Sequence, residues 1–360
     1  MKRLFAGVAA AFLAAALFFP CNAMSASSAV LLDAQTGRVL YEKQPDKQSL
    51  IASTTKIMTA LVVCEQCNVL DRVRIPAEAV GIEGSSMYLK AGEVLTVQDL
   101  LYGLMLHSGN DAAVALAIYC GGTVEGFAEL MNDKAHRLGL TNTHFVNPNG
   151  LDSPGHYSTA KDMAMLAAYA MENPIFYKTV SAKTVTAGGR TLRNHNKLLW
   201  TLDGADGVKT GYTKKAGRIL VSSCTRQGRR LIAVTMNDGN DWQDHQRLME
   251  TGFSGFSVKQ IVNKGACLGT VPIVSGTSGA VKLIATKDFS YALSQNEQVE
   301  IVLSQPEFAY APVVQGQAAG YAYVCIDKKA VGKIPLVYGE TVEMKQETKP
   351  SLWSKLFKGG

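Results

Sequence analysis

Strand-forming residues occur at both ends of the N-terminal two thirds of this chain, and helical patterns lie between them. A hairpin is predicted over residues 29–43, where two β-prone runs flank a Gln-Thr-Gly turn. Three further strand-like runs lie between residues 208 and 237, separated by short polar turns as in an antiparallel meander. Strands that enclose helices in this way favour one sheet whose first and last strands meet. This is an α+β arrangement.

Helical periodicity fills the middle of this region, and one loop interrupts it. The loop is predicted at 147–155, because the composition there is Asn-Pro-Asn-Gly-Leu-Asp-Ser-Pro-Gly. The predicted helices lie at 53–65, 97–105, 111–119 and in a segment that Ser158 or Thr159 caps.

The sequence pattern changes near Gly265, where short β-prone runs begin to alternate with Gly, Ser and Pro turns. Since 360 residues are many for one core, we expect two domains. The first is an α+β domain of antiparallel sheet and helices over 27–262, and the second is a small all-β domain over 263–345. A linker and tail follow at 346–360.

The tail has an amphipathic pattern. In a helix, one face would hold two leucines, Trp353 and Phe357, and the other faces would hold Ser354 and two lysines. Such a segment is typical of the membrane surface, where tryptophan lies at headgroup depth and lysines reach the lipid phosphates. The alternative is a frayed tail without a partner.

The first residues have the layout of a secretory signal peptide. Two basic residues precede an apolar run over 4–19, and Ala23 and Ala26 offer two cleavage points. We therefore predict a signal peptide over 1–26 and a protein exported to the outer face of the cytoplasmic membrane or the cell wall. An uncleaved anchor is the alternative, although the apolar run is short for a membrane span.

Charge and cysteine content indicate neither nucleic acid nor a metal. The net charge of +6 is modest and lies partly near the termini, so a basic groove for nucleic acid is not indicated. Cys64 and Cys67 form a lone CxxC without a second pair or a nearby histidine, and they fall within a helical pattern. Buried thiols are therefore expected rather than zinc ligands, and no cofactor is predicted. The pairing of the six cysteines beyond Ala26 is left open.

A serine and a lysine one helical turn apart form the first chemical element, Ser53-Thr54-Thr55-Lys56. Backbone N–H groups at a helix start favour anionic character on a serine there, and the lysine amine lies on the same face. A lysine is a base only if its pKa is lowered, which burial and a neighbouring charge achieve. Lys209 can supply that charge.

Two further elements follow in order, Ser108-Gly109-Asn110 and Lys209-Thr210-Gly211. Ser108 offers a hydroxyl for proton relay, and Asn110 offers an amide that fixes the lysine and the substrate. The third element lies on a predicted strand, where a substrate can add as an extra strand. Gly211 permits close approach, and the hydroxyls of Thr210 and Thr213 are suited to a substrate carboxylate.

The Ser-x-x-Lys spacing is weak evidence by itself, because it arises by chance roughly once in a chain of this length. Ser158 and Lys161 have the same spacing, and we interpret Ser158 as a helix cap. Lys-Thr-Gly occurs once. The order and context of the three elements together are therefore what indicates a serine acyl-transfer cleft.

The sequence resembles the serine-type D-alanyl-D-alanine carboxypeptidases, which are low-molecular-mass penicillin-binding proteins. Long runs between residues 28 and 256 resemble this family, namely SAVLLDAQTGRVLYEK, IASTTKIMTALV, LHSGNDAAVALA, NPNGLDSPGHYSTAKDMA and DGVKTGYTKKAG. The family's Ser-Asp-Asn element is Ser-Gly-Asn here. The resemblance implies a serine β-lactamase/transpeptidase-like domain, a β-rich second domain and a tail that rests on the membrane.

The resemblance also implies roles for individual residues. The enzyme would remove the terminal D-alanine from peptidoglycan pentapeptides through an acyl-enzyme, and β-lactams would inhibit it. The implied site comprises the nucleophile Ser53, the base Lys56, the cleft residues Ser108 and Asn110, the proton-transfer residue Lys209, the oxyanion-hole N–H groups of Ser53 and Tyr212, and Thr210, Gly211 and Thr213 beside the substrate carboxylate.

One departure concerns the substrate carboxylate. Relatives often place an arginine past the next strands, whereas residues 237–245 contain none and Arg247 is out of step. The residue that anchors the carboxylate is therefore left open. Outside the motifs, three histidines (His144, His156 and His195) are expected to form structural hydrogen bonds in loops, and Trp200 is expected in the core.

Two other functions are weighed against the carboxypeptidase. A class A β-lactamase would need a glutamate in the loop near residue 150, and residues 147–152 hold none. A non-catalytic penicillin-sensing or wall-binding module has no need of an intact Ser53, Lys56 and Lys209. The physiological role and the oligomeric state are left open.

Overall fold

The computed structural model describes residues 24–346, which form an α+β domain followed by a domain of strands, as predicted. The helices are α1 (Lys56–Gln66), α2 (Val97–Leu106), α3 (Asn110–Gly121), α4 (Val124–Arg137), α5 (Ala160–Ala170), α6 (Pro174–Ser181), α7 (Leu198–Thr201) and α8 (Asp241–Gly255). The strands of the first domain are β1 (Ser28–Asp33), β2 (Val39–Lys43), β3 (Arg72–Arg74), β4 (Val94–Thr96), β5 (Thr184–Ala187), β6 (Arg190–Arg193), β7 (Ala205–Thr213), β8 (Gly217–Arg226) and β9 (Arg229–Met236).

A five-stranded antiparallel sheet organises the first domain, in the order β2-β1-β9-β8-β7. The first and last strands meet as expected, with Ser28 opposite Met236 and Leu31 opposite Ala233. The meander places β7 at the edge of this sheet. An edge strand has backbone groups that another chain can pair with.

Helix α1 lies inside the helical layer, because Lys56 and every residue from Ile57 to Cys64 are buried. A helix that is apolar on all sides must be surrounded by protein. It contacts α2, α3 and α5, and α5 in turn packs on β1 and β9. The core thus connects the sheet to the helix whose first residue is Lys56.

Side-chain caps define where several helices start. Thr96 forms a capping box with Asp99 at α2. At α5 the cap is Thr159, whose hydroxyl accepts from the Asp162 N–H at 3.1 Å. The interpretation of Ser158 as the cap is therefore wrong, since its hydroxyl bonds Thr143 Oγ1 at 2.7 Å instead.

The second domain contains two sheets. Its strands are β10 (Ser257–Val262), β11 (Cys267–Val274), β12 (Ala280–Ala285), β13 (Phe289–Leu293), β14 (Val299–Ser304), β15 (Ala309–Tyr310), β16 (Ala318–Ile326) and β17 (Lys329–Tyr338). β10 pairs with β13, and the other six form a sheet in the order β14-β16-β17-β12-β11-β15. Arg38 joins the two domains, because its Nη1 donates to Glu297 Oε2 at 2.7 Å and its guanidinium lies over Phe256 and Tyr291.

Within residues 24–346 all six cysteines are free thiols. Cys64 is buried in α1 as expected, whereas Cys67 follows the last residue of the helix and is only half-buried, so the expectation is wrong for Cys67. No single helix in these residues is long and apolar enough to cross a membrane, although α3 and α4, bent by 82°, reach the required length and composition as a pair. Trp200 is 40% exposed, so its expected place in the core is wrong. The predicted signal peptide up to residue 23 and the amphipathic tail from residue 347 lie outside the described residues.

The segment 24–27 packs into the first domain. Met24 and Ala26 are buried in a cluster with Leu248 and Met249. The Ser25 N–H donates to Asp244 Oδ2 at 3.0 Å, and the backbone of residue 27 continues into β1. Removal of these residues would expose apolar surface and leave buried carboxylate oxygens without donors.

We therefore expect signal cleavage after Ala23, so that the mature chain starts at Met24 rather than at Ser27. Intact-mass measurement and N-terminal sequencing of the protein from an envelope fraction will test this. A mature chain that begins at Ser27 and melts at the same temperature as a chain that begins at Met24 would contradict the expectation.

A buried histidine ties α8 to the sheet. His245 is fully buried, with Nδ1 2.6 Å from Ser222 Oγ on β8 and Nε2 3.0 Å from Thr235 Oγ1 on β9. Burial lowers the pKa of His245 to about 3. Because the unfolded chain binds a proton near pH 6.5 and the folded chain does not, stability is lost as the pH falls below about 6.5.

His245→Gln is expected to flatten this acid dependence. From pH 7 to pH 5 the wild-type free energy of unfolding should fall by about 2 kcal/mol more than that of His245→Gln. Urea unfolding at the two pH values measures the difference. The exposed His136 provides the control, since His136→Gln should keep the wild-type slope. Equal slopes for all three proteins would rule the mechanism out.

Candidate active site

The three sequence elements converge on one cleft of about 430 Å³ beside the edge strand β7. Ser53, Ser108, Thr210, Gly211 and Tyr212 line it. Lys56, Asn110 and Lys209 lie in the buried layer behind this wall, each less than 5% exposed.

Ser53 lies in a turn of 3₁₀ helix, Ala52–Thr55, and α1 begins only at Lys56, three residues later than predicted. Ala52 has a φ of +45°, a conformation that costs free energy in a residue with a side chain. β7 passes close by, since a Cβ on Gly211 would lie 3.3 Å from the Ser53 nitrogen. Glycine at this position lets the strand approach the nucleophile.

The Lys56 amine has three oxygen neighbours. Its Nζ lies 3.0 Å from Ser53 Oγ, 2.7 Å from Asn110 Oδ1 and 2.6 Å from the Asn149 carbonyl oxygen. The amide and the carbonyl can only accept, so they take two N–H bonds of the amine. A neutral amine then has one lone pair left, which faces the Ser53 hydroxyl. The geometry thus suits a neutral lysine that accepts the serine proton.

Electrostatics favour the same protonation state. Burial, and then the charge of Lys209, hold the pKa of Lys56 well below its ordinary value. Burial also lowers the pKa of Lys209 to about 7, and its Nζ donates to the Thr210 carbonyl at 2.9 Å. Two buried amines in one site oppose each other's protonation.

Asn110 is fixed in orientation by its other contacts. Its Nδ2 donates to the Glu83 carbonyl, which turns Oδ1 toward Lys56. The next residue, Asp111, accepts from the Met87 and Leu89 N–H groups at 3.1 Å each and from the Ser86 hydroxyl at 2.6 Å. These bonds fasten the segment that brings Ser85 to the cleft wall.

Ser108 lies between α2 and α3 with a φ of +61° and is 5% exposed. Tyr212 is 65% exposed at the outer end of the cleft. Thr213, a predicted carboxylate ligand, donates instead to Asp152 Oδ1 at 3.0 Å and accepts from the Ala216 N–H. Among the described residues, Thr210 lines the cleft and Thr213 does not.

The loop at 147–151 supplies the third partner of Lys56, which the sequence did not indicate. Asn147 holds the loop, with Oδ1 accepting from the Gly150 N–H at 2.7 Å and Nδ2 donating to the Leu151 carbonyl at 2.9 Å. Thr59 of α1 donates to the Pro148 carbonyl at 2.6 Å. A backbone carbonyl has no residue signature, so only the turn composition pointed to this loop.

Two of the three loop histidines form the structural hydrogen bonds expected. His156 Nε2 lies 2.7 Å from Thr55 Oγ1, its Nδ1 accepts from the Val146 N–H, and burial lowers its pKa to about 4. His144 bonds the Gly155 carbonyl at 2.8 Å. His195 differs, because it lines the cleft beside Ser53. Burial, followed by the charge of Lys209, lowers the pKa of His195 to about 4.

The far wall of the cleft consists of residues outside the three motifs: Arg218, Ile219, Asp241 and Trp242. Arg218 lies on β8 directly opposite Tyr212. Arg247 is not part of this wall, and its Nη1 lies 3.6 Å from Asp244. Among the described residues, no group of three or more His, Cys, Asp or Glu is placed to hold a metal ion.

Comparisons with known proteins agree with this architecture. Residues 15–240 match the family model described as D-alanyl-D-alanine carboxypeptidase, and residues 256–344 match that described as penicillin-binding protein 5, C-terminal domain. The chain is 34% identical to the D-alanyl-D-alanine carboxypeptidase DacC of Escherichia coli strain K12, across 95% of this chain and 92% of the relative. It is 31% identical to DacF of Bacillus subtilis strain 168, across 89% and 87%.

Solved structures lead to the same family. Penicillin binding protein 5 from Haemophilus influenzae superposes with a TM-score of 0.79 at 32% identity, covering 89% of this chain and 98% of that one. Penicillin binding protein 6B from Escherichia coli superposes with a TM-score of 0.72, also at 32% identity, covering 88% and 96%. From residue 15 almost to the end of the second domain, this chain belongs to the D-alanyl-D-alanine carboxypeptidase family of serine peptidases, peptidase family S11.

Proposed function

We propose that this protein removes the terminal D-alanine from peptidoglycan pentapeptides through an acyl-enzyme on Ser53. The contact set of Lys56 is the observation that supports this most directly. A buried amine between two fixed acceptors and the nucleophile hydroxyl is poised as a neutral base. Membership in the carboxypeptidase family supplies the reaction class.

Acylation follows from these contacts. Ser53 Oγ attacks the carbonyl carbon of the penultimate D-alanine, and its proton passes to Lys56 Nζ. The oxyanion receives hydrogen bonds from the backbone N–H groups of Ser53 and Tyr212. The C–N bond then breaks as the proton held by Lys56 passes through Ser108, with Lys209 assisting, to the leaving D-alanine nitrogen, so that Lys56 is neutral again. Water then attacks the ester carbonyl and gives a proton to Lys56. The C–O bond to Ser53 breaks, Ser53 Oγ takes that proton back, and the shortened peptide leaves.

Substrate binding uses the edge position of β7. An extended peptide that pairs with the backbone beside Thr210 and Tyr212 adds a sixth strand to the five-stranded sheet. Its scissile carbonyl then lies against the Ser53 turn, because β7 passes that turn at Gly211. A β-lactam presents a strained amide to the same serine, and its leaving nitrogen stays tethered, so the acyl-enzyme persists.

The same proposal places the enzyme outside the cytoplasm, at the outer face of the membrane or in the wall where its substrate lies. The signal-like N-terminus and the amphipathic tail support this location. The tail is proposed to rest on the membrane surface through Trp353 and Phe357.

Covalent labelling tests the roles of Ser53 and Lys56. A fluorescent penicillin should label the wild type on the peptide that contains Ser53. Ser53→Ala removes the nucleophile, and Lys56→Arg replaces the base by a group that stays protonated, so each should lower the acylation rate by more than about 1,000-fold.

Lys161→Arg is the matched control, because Lys161 follows Ser158 with the same spacing but has an exposed amine near Asp46. It should label at the wild-type rate. Labelling of folded Ser53→Ala would refute the assignment, and rapid nitrocefin turnover by the wild type would revive the β-lactamase alternative. Release of D-alanine from a pentapeptide, followed by mass spectrometry, measures the proposed reaction.

Alanine substitutions at two glycines of one loop distinguish the positioning of the Asn149 carbonyl from the effect of backbone strain. Gly150 has a φ of +84° and a Cβ there would lie 1.8 Å from the Ala52 carbonyl oxygen. Gly155 has a φ of +80°, but its nearest neighbour would be 3.8 Å away. Both alanine variants lose stability through the positive φ, by about 1–2 kcal/mol. Only Gly150→Ala also clashes with the turn that carries Ser53, and relief of that clash must move the loop that holds the Asn149 carbonyl relative to this turn.

We therefore expect Gly150→Ala to acylate about 100-fold more slowly than Gly155→Ala. Stopped-flow labelling with penicillin, after thermal melts show that both variants are folded, measures the ratio. Equal rates in the two variants would show that the loop does not position the base.

A further inference from the structure

Arg218 is a permanently charged cation on the cleft wall, and it has no part in the acylation chemistry proposed above. Arg218 lines the cleft together with Ser53 and Thr210, and it pairs across the strands with Tyr212. Its side chain is 44% exposed. The other amines near the nucleophile, Lys56 and Lys209, are buried and committed to proton transfer.

Asp241 holds this guanidinium in place. Arg218 Nε donates to Asp241 Oδ2 at 3.1 Å, and Nη2 donates to Oδ1 at 2.6 Å. Asp241 is the first residue of α8, it also accepts from the Trp242 N–H at 2.8 Å, and its side chain is only 5% exposed. A carboxylate at a helix N-terminus is itself stabilised, so it is a firm support.

The aromatic ring of Trp242 restricts the arginine further. The Arg218 guanidinium carbon lies 5.8 Å from the ring centroid, and the Lys197 amine lies 5.9 Å from it. Arginine has five N–H donors in a planar fork, and Asp241 uses two of them. The three that remain make no hydrogen bond to the described residues, and they belong to a side chain on the cleft wall.

We propose that Arg218 is the residue that selects substrates with a free C-terminal carboxylate, which it binds together with the Thr210 hydroxyl. This inference rests on the proposed function. The peptide that pairs with β7 directs its leaving residue along the strand toward Tyr212, and Arg218 is opposite that residue. A planar fork that is already oriented suits a carboxylate, which accepts two N–H bonds at once.

Other cations near the cleft fit this role less well. His195 is on the wall, but it is neutral at neutral pH because its pKa is lowered to about 4. Arg247 lies elsewhere on α8 beside Asp244. Of the described residues on the cleft wall, Arg218 is therefore the one whose charge is available to an anion.

A pair of peptides that differ only at the C-terminus tests the proposal. One ends in D-Ala-D-Ala with a free acid, and the other ends in the corresponding carboxamide. For Arg218→Gln we expect kcat/KM on the acid to fall about 10- to 100-fold, the range for a lost charge-assisted hydrogen bond, while the carboxamide changes by less than about 2-fold. Arg218→Lys, which keeps the charge but not the fork, should lose less on the acid.

Arg247→Gln is the matched control and should leave both peptides unaffected. Because Arg218→Gln leaves Asp241 without its partner, the double variant Arg218→Gln/Asp241→Asn is measured as well, with thermal melts for both. The double variant should show the same loss of preference for the acid.

The outcomes separate this proposal from the one on which it rests. If the wild type cleaves the acid and Arg218→Gln cleaves it equally well, Arg218 does not select the carboxylate. An equal loss on acid and carboxamide would show a structural role and would also overturn the proposal. A wild type that releases neither D-alanine from the acid nor D-alaninamide from the carboxamide would refute the proposed function itself, and this inference with it.

Discussion

The amine of Lys56 sets the main constraint on the first domain. A charged ammonium in a fully buried position would be costly, so the surroundings must hold it neutral or supply every hydrogen bond that it can make. Its partners are residues 53, 110 and 149, which come from three distant segments. The turn before α1, the start of α3 and the loop at 147–151 must therefore be correctly placed together. The core around α1 provides that placement.

Some of the backbone strain lies beside this amine. Ala52 and Ser108 are non-glycine residues with positive φ, and each adjoins or belongs to a segment that reaches the amine or the cleft. The cost of such conformations is tolerated only where surrounding contacts determine the backbone. Here those contacts are the Asn147 side chain, the Thr59 hydroxyl and the Asp111 carboxylate, all in buried or half-buried positions.

The sequence revealed what depends on local pattern and on side-chain identity. The hairpin, the meander, the buried helix and the three motifs all have such signatures. The β-prone runs of the second domain have them too, although its first strand, β10, begins at Ser257, before the change in composition near Gly265. The Asn149 carbonyl has none, because any residue carries a carbonyl and only the folded loop aims it. Thr159 rather than Ser158 caps α5 because the backbone turns one residue later, which spacing alone does not determine.

The sequence did not indicate the role proposed for Arg218 either, because that role depends on the register of two paired strands. Nine positions separate it from Lys209, and no motif joins the two, but the tight turn between β7 and β8 pairs Tyr212 with Arg218. Its support, Asp241, comes from a third element, α8, which His245 fastens to the sheet. The proposed recognition side of the cleft thus stands on β8 and α8, whereas the proposed chemistry stands on α1, α3 and the loop at 147–151. β7 serves both, because it carries Lys209 and Thr210. Substitutions on α8 can therefore alter which C-terminus is accepted while the base and nucleophile keep their geometry.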